Sequence, residues 1–385
     1  MKIAIEGQRL YRKKKHGMDM VALELIRNLQ KIDKENEYVI FVKPDEDHCL
    51  ETIDNFKIVE LKGGPYPTWE QRALPKAAKA EGCDILHCTS NTAPVSSSMP
   101  LVVTLHDIIY LESISLFKKG TWYQKLGNMY RRYIVPRVVK KSDKIITVSK
   151  FEKNRIGNFF GFEENDPRLV AIYNGVSEHF RKIEDTDELK RVKDLYQLPD
   201  RYLFFLGNTD PKKNTKGTLK AFSDYLKKTG DDVYLVMLDY EQKELDKLLT
   251  EIGDKDLIKR IVLTGYVINT DLPAIYNQCE LFLYPSLRES FGIPMLEAMR
   301  CGTPVITSTT SSMPEVSGGA AYLIDPFKPE EITNAIEKVL SDKALREKLI
   351  NQGLKQSERF SWHNMAQDVL SLYETVYKNH LKVQS

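Results

Sequence analysis

An α/β fold of two doubly wound, Rossmann-like domains is what this sequence predicts, on three observations. Short apolar runs alternate with amphipathic stretches along nearly the whole chain, the pattern of parallel strands joined by crossover helices. The 385 residues suffice for two domains of ordinary size. Between two such alternating series, residues 177–199 are mostly polar and charged, which places the interdomain connection there and gives domains of 1–178 and 179–361.

Composition narrows the class. With 42% hydrophobic and 29% charged residues the chain reads as globular and soluble. It has no run of 18 uncharged apolar residues, and MKIAIEGQRL turns polar too soon for a signal peptide, so a cytoplasmic protein is expected. Its five cysteines are odd in number and lack C-x-x-C spacing, which argues against a disulfide framework or a structural zinc site. A net charge of +2 and the lack of a supporting motif speak against nucleic-acid binding. The basic residues cluster instead in 117–144, where Trp122, Tyr123, Tyr130 and Tyr133 stand among them; this suits either a solvated helix face or peripheral contact with an anionic membrane.

Along the first series, Lys2–Glu6 reads as a strand and Met18–Gln30 as a helix with Val21, Leu25 and Leu29 on one face. The loop between them carries the basic run Arg12–Lys15, which suits an anionic ligand or plain solvent. Tyr38–Val42, Lys57–Leu61 and Asp84–Cys88 continue the strands. Asp45-Glu46-Asp47 is a D-x-D pattern of the kind that can hold a divalent metal, but it lies in an acidic loop far from the other ligand features, and no metal is expected. In YPTWEQRALP, 66–75, Trp69 either stacks on a sugar or anchors the helix after it. Leu101–Leu105 ends in His106-Asp107, and a side chain at the carboxyl end of a parallel strand points into the crevice where open α/β sheets bind ligands. Lys144–Ser149, a helix from Lys150, and Leu169–Tyr173 complete the series.

The second series runs through strands at Tyr202–Gly207, Val233–Asp239, Arg260–Thr264, Glu280–Tyr284 and Pro304–Thr307. Its helices include Thr218–Leu226, those from Glu330 to about Lys355, and a last one in FSWHNMAQDVLSLYETVYKNHL. The most informative stretch is 280–326. Pro294 suits a first helical turn and Gly302 the position past a helix end, so a short helix spans about 294–301. Amides around Phe291 and Gly292, with the helix dipole, make an anion site. Glu289 and Glu297 flank it, and carboxylates suit hydroxyls, so the implied ligand carries hydroxyls on both sides of a phosphate, as a nucleotide sugar does. The same Glu-x7-Glu spacing also suits two ordinary solvated residues.

PSLRESFGIPMLEAMRCGTPVI followed by PEVSGGAAYLIDP closely resembles the donor-site signature of retaining glycosyltransferases of family 4, which have the GT-B fold. The resemblance extends over nearly the whole chain. It implies two domains facing a cleft, with the acceptor held mainly by the first, and a final helix, about 362–385, crossing back to it. It implies that His106 contacts the donor sugar, that Lys213 holds the donor diphosphate, and that Glu289 positions the sugar while Glu297 holds the ribose. Ser290, Phe291, Gly292 and Ile293 belong to the same donor loop. Gly17 stands where family members usually have glycines in the first strand-to-helix turn. Tyr266, in Gly265-Tyr266-Val267, is the expected neighbour of the base. The chain departs from the pattern at Asn208, where many members have an arginine; Lys212 offers the missing charge.

The activity implied by the resemblance is transfer of a hexose, with retention, to a saccharide or lipid-linked saccharide in bacterial surface polysaccharide synthesis, without metal or other cofactor. WEQ, the PKKN turn and SSMPEVSGGAA look most like bacterial mannosyltransferases, which implies GDP-mannose as donor. Alternatives are a UDP-sugar donor, a nucleotide-sugar epimerase of the same fold, and a noncatalytic binding protein.

Overall fold

The computed structural model describes residues 1–112 and 122–384. The chain forms two compact units, one of Met1–Gly175 with Trp362–Ser385, the other of Val176–Ser361.

The first unit holds seven strands, β1 Lys2–Glu6, β2 Glu37–Val42, β3 Phe56–Glu60, β4 Ile85–Cys88, β5 Leu101–Leu105, β6 Lys144–Thr147 and β7 Leu169–Ala171. They pair in the order β3-β2-β1-β4-β5-β6-β7, every pair parallel. The direction in which successive strands are laid down reverses between β1 and β4, where Glu6 lies opposite Cys88, so the strand ends there open on a switch point. The inner strands are buried along almost their whole length, which is why they read as continuous apolar runs rather than alternating ones.

One side of that sheet is sealed by Trp69, which lies wholly in the core and donates its Nε1–H to the Leu61 carbonyl at 2.7 Å. Stacking on a sugar is thereby excluded for Trp69; it anchors. The segment itself is helical rather than a lead-in: Tyr66–Thr68, a π-helical turn Trp69–Ala73, then Leu74–Ala80. Pro75 explains the wide turn, because it has no N–H to donate and its ring crowds the preceding carbonyls. The turn carries Glu70 inward, where Tyr66 donates to Oε1 at 2.5 Å, Gln71 to Oε2 at 2.8 Å, and the Thr92 and Tyr130 hydroxyls add two more bonds. Burial raises the Glu70 pKa, against the lowering effect of those hydroxyls.

The Trp362–Gln384 helix belongs to the first unit and packs along the Gly17–Ile32 helix. Its Tyr373 hydroxyl lies 2.5 Å from Nδ1 of the buried His87 on β4, whose Nε2 faces Thr104 Oγ1 at 2.8 Å. Both ring nitrogens are thus partnered, and burial drives the His87 pKa down to about 3, so the ring is neutral.

The second unit holds β8 Tyr202–Phe205, β9 Tyr234–Met237, β10 Ile261–Leu263, β11 Leu281–Tyr284, β12 Val305–Ser308 and β13 Tyr322–Ile324. Its parallel order is β10-β9-β8-β11-β12-β13, with the reversal between β8 and β11. The polar stretch expected to be a connector needs correction: it contains the helix Thr186–Leu195, capped by Asp185, with Val192 buried, and it belongs to this unit. Arg191 Nη2 reaches Asp271 Oδ1 at 2.5 Å, tying that helix to the start of the helix Leu272–Gln278. Only one residue of its inner face is fully buried, so the apolar signal was too thin to read as a helix.

Of the basic stretch 117–144, residues 117–121 lie outside the described ones. The rest forms the helix Trp122–Lys141 and the start of β6.

Replacing Tyr373 by Phe removes the partner of His87 Nδ1 and leaves a buried polar atom unsatisfied. The expected cost is about 1–3 kcal/mol, a fall of several degrees in the thermal midpoint. An unchanged midpoint would show that this tie contributes nothing.

Candidate functional site

In the second unit the carboxyl ends of β8 and β11 carry two loops that hold each other. The turn after β8 is a short 3₁₀ helix, Pro211–Lys213, begun by Asp210, whose carboxylate accepts from the Lys212 amide at 3.0 Å. Asn214 follows at φ +57°, a conformation asparagine tolerates better than most residues. Its amide donates to the carbonyls of Pro285 at 3.1 Å and Pro326 at 2.7 Å, locking the turn against the loop after β11. Gly217 must lack a side chain here, since a Cβ would stand 2.4 Å from Asn214 Oδ1. The Leu287 amide completes the lock by donating to the Lys212 carbonyl at 2.7 Å.

The lock sets Lys213 against Glu289. Nζ lies 2.6 Å from Glu289 Oε1, with the two side chains 16% and 12% exposed, and 3.4 Å from the Tyr284 hydroxyl. The Glu289 loop is braced by hydroxyls from the end of β12 and the run after it. Ser308 and Thr310 donate to the carbonyls of Ser286 and Leu287 at 2.6 and 3.0 Å. Ser312 donates to those of Glu289 and Phe291 at 2.9 and 3.1 Å, and Ser311 Oγ accepts from the Glu289 amide at 3.0 Å. The two serines thereby support the backbone of the Glu289 loop.

Gly292 ends that loop at φ +100° and precedes the helix Ile293–Arg300, one residue earlier than expected. A Cβ there would find room, at 3.5 Å from Tyr284, so backbone conformation, not space, demands glycine. The first amides of any helix lack partners within it and carry partial positive charge. Ile293 and Gly292 therefore face the same anion-favouring end that Lys213 approaches.

Glu297 sits on the next turn of this helix, its carboxylate accepting from the buried Tyr276 hydroxyl at 3.1 Å. Burial pushes its pKa up to about 7, the Tyr276 hydrogen bond opposing the shift. Sequence reasoning missed Tyr276, Tyr284 and Asn214. Only Asn214, in the PKKN turn, left a local signal; the tyrosines read as core.

The remaining expected residues fall as follows. Asn208 shapes its turn, accepting from the Asp210 amide at 2.9 Å and, through its carbonyl, from Thr215 Oγ1 at 2.8 Å. Lys212 is half-buried, with Asp210 3.9 Å from its Nζ. Tyr266 stands 70% exposed just past β10. In the first unit, Gly17 opens its helix, and a Cβ added there would meet nothing within 4 Å. Lys15 of the basic loop is paired with Asp47, and Lys13 lies 3.8 Å from Glu46, so the D-x-D segment offsets part of the charge of that run. His106 is buried, and its Nε2 lies 3.0 Å from the Thr89 carbonyl, which can only accept. Nε2 thus carries the proton, and burial lowers the pKa despite that bond, so the ring is neutral with Nδ1 as its acceptor.

Two parallel α/β units, the second with a lysine, a helix end and two carboxylates at its switch point, suit an enzyme acting on an anionic, hydroxylated ligand, and the matches to known proteins make it a glycosyltransferase. The chain belongs to the family 4 glycosyltransferases: residues 16–180 match the model of Glycosyltransferase Family 4, and residues 186–356 that of Glycosyl transferases group 1. It is 32% identical to the O-antigen chain mannosyltransferase B of Escherichia coli over 276 residues, 71% of this chain and 70% of that protein. It is also 32% identical to the serotype-specific mannosyltransferase WbdA of Escherichia coli, but over 231 residues, 59% of this chain and only 28% of WbdA. Among solved structures, sucrose-phosphate synthase from Thermosynechococcus elongatus superposes with a TM-score of 0.75 over 98% of this chain and 99% of that one, at 16% identity. Anabaena HepE in complex with UDP gives 0.73 over 97% and 100%, at 18% identity. The fold is GT-B.

Because Glu297 gains a proton more readily when folded, its contribution to stability is full below the usual carboxylate range and is lost as pH rises through about 7. Glu297→Gln should flatten the thermal midpoint between about pH 5 and 8. If wild type and variant trace parallel curves, Glu297 does not titrate there.

Proposed function

We propose that the chain transfers mannose from GDP-mannose, with retention, to a saccharide or lipid-linked saccharide in bacterial surface polysaccharide synthesis. The observation that carries this reading is the Lys213–Glu289 pair at the N-terminus of the Ile293–Arg300 helix, with Glu297 one turn on. A cation and a helix end suit a diphosphate; carboxylates on either side suit the hydroxyls of the transferred sugar and of ribose. The names of the two Escherichia coli relatives support mannose.

In this mechanism Lys213 leaves Glu289 for the diphosphate and stabilises its departure, while the freed Glu289 carboxylate takes hydroxyls of the sugar. The bond from the anomeric carbon to the phosphate oxygen breaks, and the bond to the acceptor oxygen forms on the same face. The acceptor proton passes to the leaving phosphate oxygen. Neutral His106 accepts a hydrogen bond from a sugar hydroxyl at Nδ1 without adding charge. Tyr266 neighbours the base, and no metal is assigned a role because Lys213 and the helix end supply the positive charge. The helix Trp122–Lys141 contacts an anionic membrane: exposed Leu126, Met129 and Tyr133 recur at helical spacing beside Arg131, Arg132 and Arg137.

Three measurements test this. Lys213→Ala and Glu289→Ala should each slow turnover a few hundredfold at saturating donor, roughly 3–4 kcal/mol of barrier; full turnover in both would discard the site. GDP-mannose at about 100 times its dissociation constant should stabilise the protein by about 2.7 kcal/mol. A midpoint shift confined to UDP-sugars would keep the transferase and replace the donor. Conversion of the donor without acceptor would indicate an epimerase.

A further inference from the structure

His106 is gripped twice by the segment that follows β4. Thr89, Ser90, Asn91 and Thr92 make up this segment, and all four are buried. Asn91 stands at φ +67°, in the left-handed region that asparagine enters more readily than most residues. Its amide donates to the Thr104 carbonyl on β5 at 3.1 Å, and its Oδ1 accepts from the His106 amide at 2.6 Å. Two residues earlier, the Thr89 carbonyl takes the His106 Nε2 proton at 3.0 Å. Backbone and ring are thus held from one short stretch of chain.

That stretch is itself fixed at both ends. Thr89 Oγ1 donates to the Glu6 carbonyl at 2.9 Å, and the Thr89 amide to Glu6 Oε2 at 3.2 Å. At the other end Thr92 Oγ1 donates to Glu70 Oε1, and the Tyr66 hydroxyl lies 2.6 Å from the same Oγ1. Gln71 extends the hold, since its Nε2 donates to the Ala93 carbonyl and its Oε1 accepts from the Val95 amide, both at 2.9 Å. The π-helical turn Trp69–Ala73 delivers Glu70 and Gln71 to this place, with Trp69 locked in the core beside them.

A carboxylate this deep is costly to bury. The partners of Glu70 among the described residues are three hydroxyls and an amide, not a cation. An apolar side chain would fill the same space without that cost. What Glu70 supplies is direction: its two oxygens gather Tyr66, Gln71, Thr92 and Tyr130 into one arrangement, and Thr92 is the chain neighbour of Asn91. Satisfied networks of this kind make the local structure unique.

We propose that Asn91 and Glu70 are positioning residues for the transfer: Glu70 fixes the segment through Thr92, and Asn91 fixes His106 so that its ring presents Nδ1 to the sugar. This rests on the reading of His106 as a sugar contact. Neither residue is assigned a contact with a substrate of its own. Asn91→Gly removes the accepting oxygen while keeping the left-handed backbone, and Asn91→Asp keeps that oxygen. Thr92→Val removes the hydroxyl at nearly equal shape.

The first measurement is proton–nitrogen correlation NMR of protein carrying labelled histidine, with the His106 signals assigned by their loss in His106→Ala. Wild type should show a ring protonated at Nε2 alone. In Asn91→Gly and Thr92→Val the two ring-nitrogen shifts should move toward each other as the second tautomer is populated, and Asn91→Asp should restore them. A merely structural role would lower the thermal midpoint and leave these shifts in place, which overturns the proposal. The second measurement is GDP release from GDP-mannose with methyl α-mannopyranoside as acceptor. Asn91→Gly should lower kcat about tenfold or more at unchanged donor KM, as misplacement of a group at the reacting centre does. In the His106→Ala background it should add nothing; equal losses in both backgrounds would overturn the proposal and leave the His106 contact standing. Full turnover in His106→Ala would instead discard that contact, and the positioning role with it. Shifts that move as expected in a protein that releases GDP only from other GDP-sugars would uphold the positioning and replace the donor.

Discussion

A lysine and a glutamate 2.6 Å apart, each mostly shielded from water, set the conditions for the second unit. Such a pair contributes little to stability on balance, because removing two charges from water offsets most of their attraction. What it demands is placement. The Asn214 bonds, the Leu287 amide and the hydroxyls of Ser308, Thr310, Ser311 and Ser312 all hold the two loops that carry it. Loops held in this way keep the lysine and the glutamate in place with little backbone rearrangement, the condition under which fixed charges act most strongly on a charge that develops beside them.

The two units use the same architectural device differently. Each sheet reverses its strand order once, and each reversal gathers polar residues at strand ends. In the second unit these are charged and lie beside a helix N-terminus. In the first, Glu6 and Thr89 are linked by hydrogen bonds to His106, and Glu70 and His87 are hydrogen-bonded within the core.

The Trp362–Gln384 helix shows how a distant segment becomes part of a sheet's interior. Tyr373 reaches a histidine buried in β4, which burial keeps neutral, so this helix is held by a polar contact as well as by packing.

The residue pattern alone showed the alternation of strands and helices and the short helix that follows the Glu289 loop and carries Glu297, because parallel strands buried on both faces are apolar without interruption and helix ends carry local Pro and Gly signals. It did not reveal Thr186–Leu195 as a helix, since one buried valine gives no period to read. It left Trp69 undecided between sugar and core, a matter of burial that only packing settles. It could not show that Lys213 meets Glu289, or that Asp47 takes Lys15, because those partners are far apart in the chain and their charges carry no local trace of each other. Tertiary structure decided which charges are spoken for, and the reason is physical: propensity and period act over a few residues, while electrostatic pairing and desolvation act through space.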